Sequence, residues 1–166
     1  MANLPELIIR LRRNGSQLKL IEKSDFMAGA IDLQCVATES LVGAAAGSDW
    51  VDFDTANFVR GGLPRVYKAL QSNPAIGCVH WNEGTIAANK TCWVRIWGIH
   101  EYANVDRGAG ISSGSYIAVS ASTAGVAVVV SGTLNRRIGR TIQNDVGSGT
   151  VVPMRVLVQT AHGIIF

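Results

Sequence analysis

Three histidines are the residues of this chain best suited to acid–base chemistry: His80, His100 and His162. An imidazole acts as a general base when it lies beside a nucleophile and an acid that orients it. The sequence holds no Gly-x-Ser-x-Gly elbow, and the serines at 47–49 and 114–115 fall in segments typical of ordinary turns. We therefore interpret the histidines as barrel or surface residues and predict that the protein is not an enzyme.

The cysteines raise the question of a metal site. Cys78 and His80 lie two residues apart, so a strand would place both side chains on one face, with Cys92 across from them on a neighbouring strand. We weigh a zinc cluster of these three residues against buried small side chains that pack a barrel, and we favour packing. An odd number of cysteines without Cys-x-x-Cys spacing also favours reduced thiols in a protein assembled in the cytoplasm.

The acids Asp49, Asp52 and Asp54 resemble part of a carboxylate-rich calcium loop. The EF-hand pattern needs a glycine at its sharp turn and a glutamate at its end, and this segment has neither. We therefore favour a solvated acidic face over a weak calcium site. No metal and no cofactor is predicted for the chain.

Tryptophan and arginine alternate along one predicted strand, where Trp93, Arg95 and Trp97 share a face. Such a face is typical of a platform on which a sugar stacks. It is equally typical of a subunit interface, because Trp and Arg are enriched among the residues that dominate binding energy. We favour an interface or core role for these residues.

A second basic cluster consists of Arg136, Arg137 and Arg140. Either these residues line the exposed side of a strand, or they pair with acids of a neighbouring subunit, for which residues 49–54 are candidates. Charged residues make up 16% of the chain, against a typical value of about 25%. With 48% hydrophobic residues, this deficit predicts surface that is buried against neighbouring subunits.

The elements that must position these residues are short strands. Val- and Ile-rich runs alternate with Gly, Ser and Asn turns at roughly the 8–12 residue spacing typical of barrels and sandwiches. The sequence predicts an all-β fold with a small β-barrel or sandwich domain. The predicted strands are Val66–Leu70, Ile76–Trp81, Cys92–Gly98, Ile117–Ser120, Val126–Val130, Ile138–Ile142 and Met154–Gln159.

The first 60 residues are less uniform. Residues 1–23 carry five Lys or Arg against two Glu. They predict an arm, which we read as a hairpin with a type I′ turn at Asn14-Gly15 rather than a short helix after Pro5. Residues 24–60 form a connecting region or small subdomain, in which a helix over Met27–Cys35 and a short strand within 49–58 are both open. The barrel-like domain spans residues 61–166.

Composition narrows the range of partners. The net charge of +3 comes without a basic run interleaved with aromatic residues, so no nucleic-acid partner is predicted. The longest apolar runs, such as Gly125–Val130, are too short to span a membrane. No segment has the charged start and apolar centre of a signal peptide.

Five segments follow one another in a recognisable order of turns and strands: Val94–Gly98, Gly114–Ile117, Gly125–Ala127, Arg137–Ile142 and Arg155–Gln159. This order resembles the capsid decoration (cement) proteins of tailed bacteriophages, in which a strand ending in Gly precedes a Gly-x-x-Val/Ile strand, a Gly-x-Ala hairpin, an Ile-Gly-Lys/Arg-Ala/Thr strand and a closing Val-Arg-Val-Leu strand. The resemblance covers roughly 90 to 100 residues and leaves the first 60 uncovered. The chain is longer than single-barrel members, which predicts an extra subdomain or a second barrel-like half.

The resemblance implies a structural virion protein on the outside of an icosahedral capsid. Such a protein binds the major capsid protein as a homotrimer, stabilises contacts between capsid subunits, and grips the lattice with its N-terminal arm. The alternative is a carbohydrate- or receptor-binding β-module on a virion or cell surface. The predicted interface residues are Leu7, Ile9, Arg10, Leu11, Arg12, Arg13, Trp93, Arg95, Trp97, Arg136, Arg137 and Arg140.

Overall fold

Every regular element in the described part of the chain is a β-strand, so the predicted all-β fold is confirmed. The computed structural model describes residues 30–43, 47–57, 61–71, 75–80, 84–108, 110–130, 137–144 and 150–160, and the backbone of 11–13 and 17–19. The strands are β1 (Leu11–Arg13), β2 (Gln17–Lys19), β3 (Ile31–Ala37), β4 (Leu41–Gly43), β5 (Trp50–Phe53), β6 (Arg65–Lys68), β7 (Gly77–His80), β8 (Gly84–Ile86), β9 (Thr91–Asp106), β10 (Tyr116–Val119), β11 (Ala127–Val129), β12 (Arg137–Thr141) and β13 (Val151–Gln159).

The N-terminal hairpin is present as the antiparallel pair β1–β2. Leu11 lies opposite Lys19 and Arg13 opposite Gln17. The predicted type I′ turn at Asn14-Gly15 lies between these paired ends and outside the described residues, so it stays a prediction.

The long strand β9 has 16 residues and belongs to two closed rings of strands. The second half of β9 joins β13, β12, β10 and β11 in a five-stranded barrel, which closes where β11 runs parallel to β9. We call this the C-terminal barrel. Closure leaves none of these five strands with an open edge, which explains how such short strands form a stable sheet.

The first half of β9 belongs to a second ring, which we call the N-terminal ring. It runs from β9 through β3, β6, β5 and β7 and returns to β9. Strands from both sides of residue 60 build this ring, so residues 24–60 and 61–166 meet in one sheet.

The pattern of side chains explains why residues 31–37 form a strand. Ile31, Leu33, Cys35 and Ala37 are buried, and the residues between them are half-buried. This period of two fits a strand with one face on a core, and it cannot keep one face of a helix apolar. The helix considered over Met27–Cys35 is therefore wrong where the described residues reach it.

Two strands form a wall between the rings because both of their faces are buried. Trp50 of β5 and Cys78 of β7 pack in the core of the C-terminal barrel. Their neighbours Val51 and Val79 pack in the core of the N-terminal ring. The indole Nε1 of Trp50 also donates to the carbonyl oxygen of Asn104 at 3.0 Å, which ties the wall to β9. The two cores thus share one wall.

Candidate functional site

The outer surface of β9 and β13 carries large apolar side chains that face solvent. On β9, Trp97, Ile99 and Tyr102 are exposed by 37%, 41% and 46%. On β13, the half-buried Leu157 lies directly opposite Ile99. Exposed apolar groups that cluster in this way mark interaction sites. The name outer face is used below for the surface formed by Trp97, Ile99, Glu101, Tyr102, Arg155 and Leu157.

A β-bulge shapes the centre of the outer face. Met154 lies opposite Ala103, whereas Val156 lies opposite His100, so Arg155 faces two consecutive residues of β9. Those residues, Glu101 and Tyr102, are both exposed. A regular strand would turn one of them inward, so the bulge adds a side chain to the surface.

An ion pair crosses the two strands at the bulge. The Arg155 Nε lies 3.0 Å from the Glu101 Oε2, with both side chains about half exposed. Such a solvated pair adds little to stability. It places one charge of each sign beside the apolar side chains of Ile99 and Tyr102, as in the polar rim of an interface.

His100 lies behind the bulge and uses both ring nitrogens. Its Nδ1 accepts a hydrogen bond from the Tyr102 backbone N–H at 3.1 Å, and its Nε2 donates to the Val79 carbonyl oxygen at 2.6 Å. This pattern requires the neutral ring with the proton on Nε2. Burial, the larger cause, lowers the pKa of His100, although its bond to Val79 acts in the opposite direction.

Arg95, a predicted interface residue, lies inside the fold. It is 7% exposed, and its Nε and Nη2 contact the two carboxylate oxygens of Asp32 at 2.8 and 3.0 Å. Its Nη1 donates to the carbonyl oxygen of Ile99. Trp93 is half-buried, so among the three predicted residues of this strand Trp97 presents the largest exposed fraction. Arg95 supports the strand from behind the outer face.

The two described arginines of the second basic cluster stack on one tyrosine. The Cζ atoms of Arg137 and Arg140 lie 3.5 and 4.2 Å from the centre of the Tyr116 ring, and Arg140 also donates to the Tyr116 hydroxyl. Tyr116 pairs with Arg140, Arg140 with Leu157, and Leu157 with Ile99. One row of side chains therefore links this basic cluster to the outer face.

The other predicted interface residues fall where side chains are not described. Leu11, Arg12 and Arg13 lie in β1, for which the structure gives the backbone. Their interface role stays a prediction, as does that of the residues outside the described ranges, which are Leu7, Ile9, Arg10 and Arg136.

The zinc hypothesis is not supported by the positions of the cysteines. Cys78 packs in the core of the C-terminal barrel, whereas Cys92 packs in the core of the N-terminal ring opposite Cys35. All three thiols are free and buried, and burial raises the pKa of Cys92 to about 11. Among the described residues, no three His, Cys, Asp or Glu side chains are grouped to hold a metal ion.

The predicted acidic face is wrong for Asp49, which is buried. Its Oδ2 accepts the Val42 backbone N–H at 2.8 Å and lies 3.4 Å from the Lys68 Nζ. Burial raises the pKa of this carboxyl, while the bonds from Val42 and Lys68 act in the opposite direction. Asp54 instead caps a local turn by accepting the Asn57 N–H at 3.0 Å. These acids have different local roles and do not form one binding loop.

Sequence reasoning missed Ile99, Tyr102, Tyr116 and Leu157 as members of the surface. For Ile99 a signal was present, since it lies two residues after Trp97 and so shares its strand face. Tyr102 breaks that spacing and reaches the surface because of the bulge, which the sequence does not reveal.

None of the described residues forms a helix long and apolar enough to cross a membrane.

Comparison with known proteins finds a likeness in fold. The sequence matches no protein-family model and no curated protein. The fold is similar to the crystal structure of the N base of head fiber gp8.5 from bacteriophage phi29, with a TM-score of 0.50 and 10% sequence identity. The likeness covers 81% of this chain and 99% of that chain. At this identity it shows that the two chains share a fold.

Proposed function

We propose that the protein is a structural component of a bacteriophage virion that binds the outside of the capsid and stabilises contacts between major capsid protein subunits. The shared fold with a phage head fiber base supports the virion assignment, since that likeness spans nearly the whole of the other chain. The resemblance of the strand and turn order to capsid decoration proteins supports the role on the capsid.

The outer face is the observation that carries this proposal. It combines exposed Trp97 and Tyr102 with Ile99, and the Glu101–Arg155 pair lies beside them. Aromatic and arginine side chains dominate the binding energy of protein interfaces, and a polar rim excludes water from the apolar centre. The arrangement fits a surface that binds a partner protein without catalysing a reaction.

The proposal includes a homotrimer and a second contact through the N-terminal arm. Residues 1–23 carry five basic residues against two acids, which suits attachment to an acidic capsid surface. Several copies joined in one assembly convert modest individual contacts into strong attachment. Deleting residues 1–23 should then leave the barrel folded and weaken binding to the capsid.

Cosedimentation with capsid shells tests the proposal. The shells are assembled from the major capsid protein encoded in the same genome and mixed with the purified chain. We expect the chain to pellet with the shells and to raise the temperature at which they fall apart. A chain that stays in the supernatant and leaves shell stability unchanged would overturn the proposal.

A matched pair of variants identifies the surface in the same assay. Trp97→Ala removes an aromatic ring of the outer face, and Phe53→Ala removes one of similar exposure, 37% against 38%, from β5 of the N-terminal ring. We expect Trp97→Ala to weaken shell binding by about tenfold or more and Phe53→Ala to bind as the unmodified chain does. Equal losses would remove the outer face from the proposal.

The exposed rings of Trp97 and Tyr102 also favour a second candidate function, the binding of carbohydrate. Aromatic rings stack on sugar faces without the need for a deep pocket. Binding on a glycan array that disappears with Trp97→Ala, from a protein that ignores capsid shells, would replace the first proposal with this one.

A further inference from the structure

A cluster of buried and half-buried polar side chains lies behind the outer face, where the C-terminal barrel and the N-terminal ring meet. His100 is 1% exposed, and the centre of its ring lies 4.8 Å from that of His80, edge to face. Arg95 reaches the same region and donates to the carbonyl oxygen of Ile99, next to His100 in the chain. Two imidazoles and a guanidinium therefore share one region of the fold, in which His100 and Arg95 are buried and His80 is half-buried.

The hydrogen bonds of His100 hold the bulge in place. Its Nδ1 accepts the backbone N–H of Tyr102, which is one of the two residues that the bulge turns outward. Its other nitrogen donates to Val79 of the wall between the rings. If Nδ1 takes a proton, a donor faces a donor, and the bond to Tyr102 is lost. The shape of the outer face thus depends on the neutral ring.

The charges around His100 act in both directions, since Arg95 disfavours its protonation whereas Asp32 and Glu101 favour it. Arg95 on β9 carries a fixed positive charge, and both oxygens of its partner Asp32 on β3 already contact it. Glu101 favours the charged ring but forms its own ion pair with Arg155 of β13.

The remaining neighbours of His100 do not stabilise its protonated form. On β7, the Cys78 thiol opposite Arg95 has its pKa raised by burial and is neutral. His80 would itself compete for a proton, and β13 places the apolar Val156 opposite His100.

We propose that His100 and His80 form an acid-sensitive latch. It fixes the outer face while both imidazoles are neutral and releases Glu101 and Tyr102 when His100 is protonated. The consequence for attachment to a capsid rests on the proposed function. The consequence for the protein itself does not, because the latch lies within one chain.

The direction and window of the effect follow from the pKa values. Burial and the nearby Arg95 lower the pKa of His80 to about 4, and burial lowers that of His100. The unfolded chain therefore takes up these protons first, at the ordinary histidine pKa of about 6.5. The closed latch is fully stable above about pH 6.5 and loses stability as the pH falls from there towards about 4.

Nuclear magnetic resonance of the isolated protein tests the latch directly. The ring signals of His80 and His100 and the backbone amide of Tyr102 are followed from about pH 7.5 down to about pH 4. We expect both rings to titrate below the ordinary range, with the Tyr102 amide moving and exchanging with solvent faster as His100 titrates. A Tyr102 amide that stays unchanged while His100 titrates, or a His100 that stays neutral throughout, would overturn the proposal.

Variants assign the effect to the cluster. His100→Asn removes the group that titrates, and we expect the Tyr102 amide to lose its pH dependence. If that variant fails to fold, His80→Gln serves instead. It removes the imidazole that competes for a proton and should shift the titration of His100 upwards. His162→Gln, which changes a histidine outside the described residues, is the control and should titrate as the unmodified chain does. A pH response at Tyr102 that survives His100→Asn would contradict the latch.

Shell binding at two pH values separates this inference from the proposed function. If the latch controls attachment, binding is lost progressively as the pH falls from about 7.5 towards about 4, and His100→Asn removes that dependence. Absence of binding at the higher pH would overturn the proposed function, leaving the amide of Tyr102 to decide the latch. Unchanged binding at both pH values, with a moving Tyr102 amide, would overturn the control of attachment.

Discussion

The two halves of β9 use similar side chains for different purposes. In residues 91–96 the arginine is buried: Arg95 pairs with Asp32 inside the fold, while Cys92 and Val94 pack in the core of the N-terminal ring. In residues 97–106 the inward side chains fill the C-terminal barrel, and outward ones such as Trp97 and Ile99 meet solvent. The rest of the fold covers both faces of the first half of β9 and one face of its second half. The difference shows that Trp and Arg residues do not by themselves identify an interface. It must also be known which faces of the strand are covered by the rest of the fold.

The largest effect should come from breaking the buried ion pair. Arg95→Ala removes the guanidinium that contacts both carboxylate oxygens of Asp32 in a region that is mostly buried. We expect a loss of about 3–5 kcal/mol in the free energy of unfolding, because removing one member of a buried pair strands the other. Denaturant unfolding measures it.

The exposed pair that joins the second half of β9 to β13 is the control. Arg155→Ala breaks its contact with Glu101 and should cost about 1 kcal/mol or less, since the pair is solvated. Equal losses for the two variants would show that the halves of β9 are not distinguished by burial.

A second contrast separates stability from binding. Val94→Ala opens a cavity in the core of the N-terminal ring and should cost about 2 kcal/mol of unfolding free energy. Ile99→Ala removes a side chain that is 41% exposed, so stability should change by about 0.5 kcal/mol or less. Binding to shells should show the opposite order. If Ile99→Ala unfolds the protein or leaves binding unchanged, the outer face has been assigned wrongly.

The acidity of the medium should affect the junction between the two halves. The unfolding free energy should be lower at about pH 5 than at about pH 7, because the pKa values of His80 and His100 are lowered in the fold and the unfolded chain binds protons first. Denaturant midpoints across this range give the slope. A His100→Asn variant with the same slope as the unmodified chain would locate the effect elsewhere.

A small effect on stability is expected at the edge of the outer face. Arg140→Ala removes one guanidinium from the Tyr116 ring and its bond to the hydroxyl, at a cost of about 0.5–1 kcal/mol in stability. Arg140→Lys keeps the charge and loses the planar stack. A shell affinity that falls with the alanine and is kept with the lysine would indicate that charge matters at this edge, and no change with either would exclude Arg140 from the contact.

Local pattern was enough to predict most of the strands from residue 66 onwards. The Val- and Ile-rich runs at 117–120, 126–130 and 138–142 each overlap an observed strand, because a short apolar run between glycine turns has few other ways to be buried. For residues 31–37 the sequence did not decide between a helix and a strand. In the structure they form a strand in which buried and half-buried side chains alternate.

Features that depend on distant pairing could not be predicted. The closure of the barrel joins β11 to β9, and the shared wall gives β5 and β7 two buried faces, neither of which is visible in local sequence. The position of Arg95 likewise depends on Asp32, which is 63 residues away in the chain. The outer face was therefore found in part, through Trp97, while the bulge at Tyr102 needed the structure.

Oxidative footprinting of the protein free and bound to capsid shells tests the central claim most directly. Trp97 and Tyr102 report on the outer face, and Phe53, with a similar exposed fraction, reports on β5. The account predicts that Trp97 and Tyr102 become protected on the shells while Phe53 reacts as before. Protection of Phe53 with unchanged reaction at Trp97 and Tyr102, or no protection at all three, would contradict it.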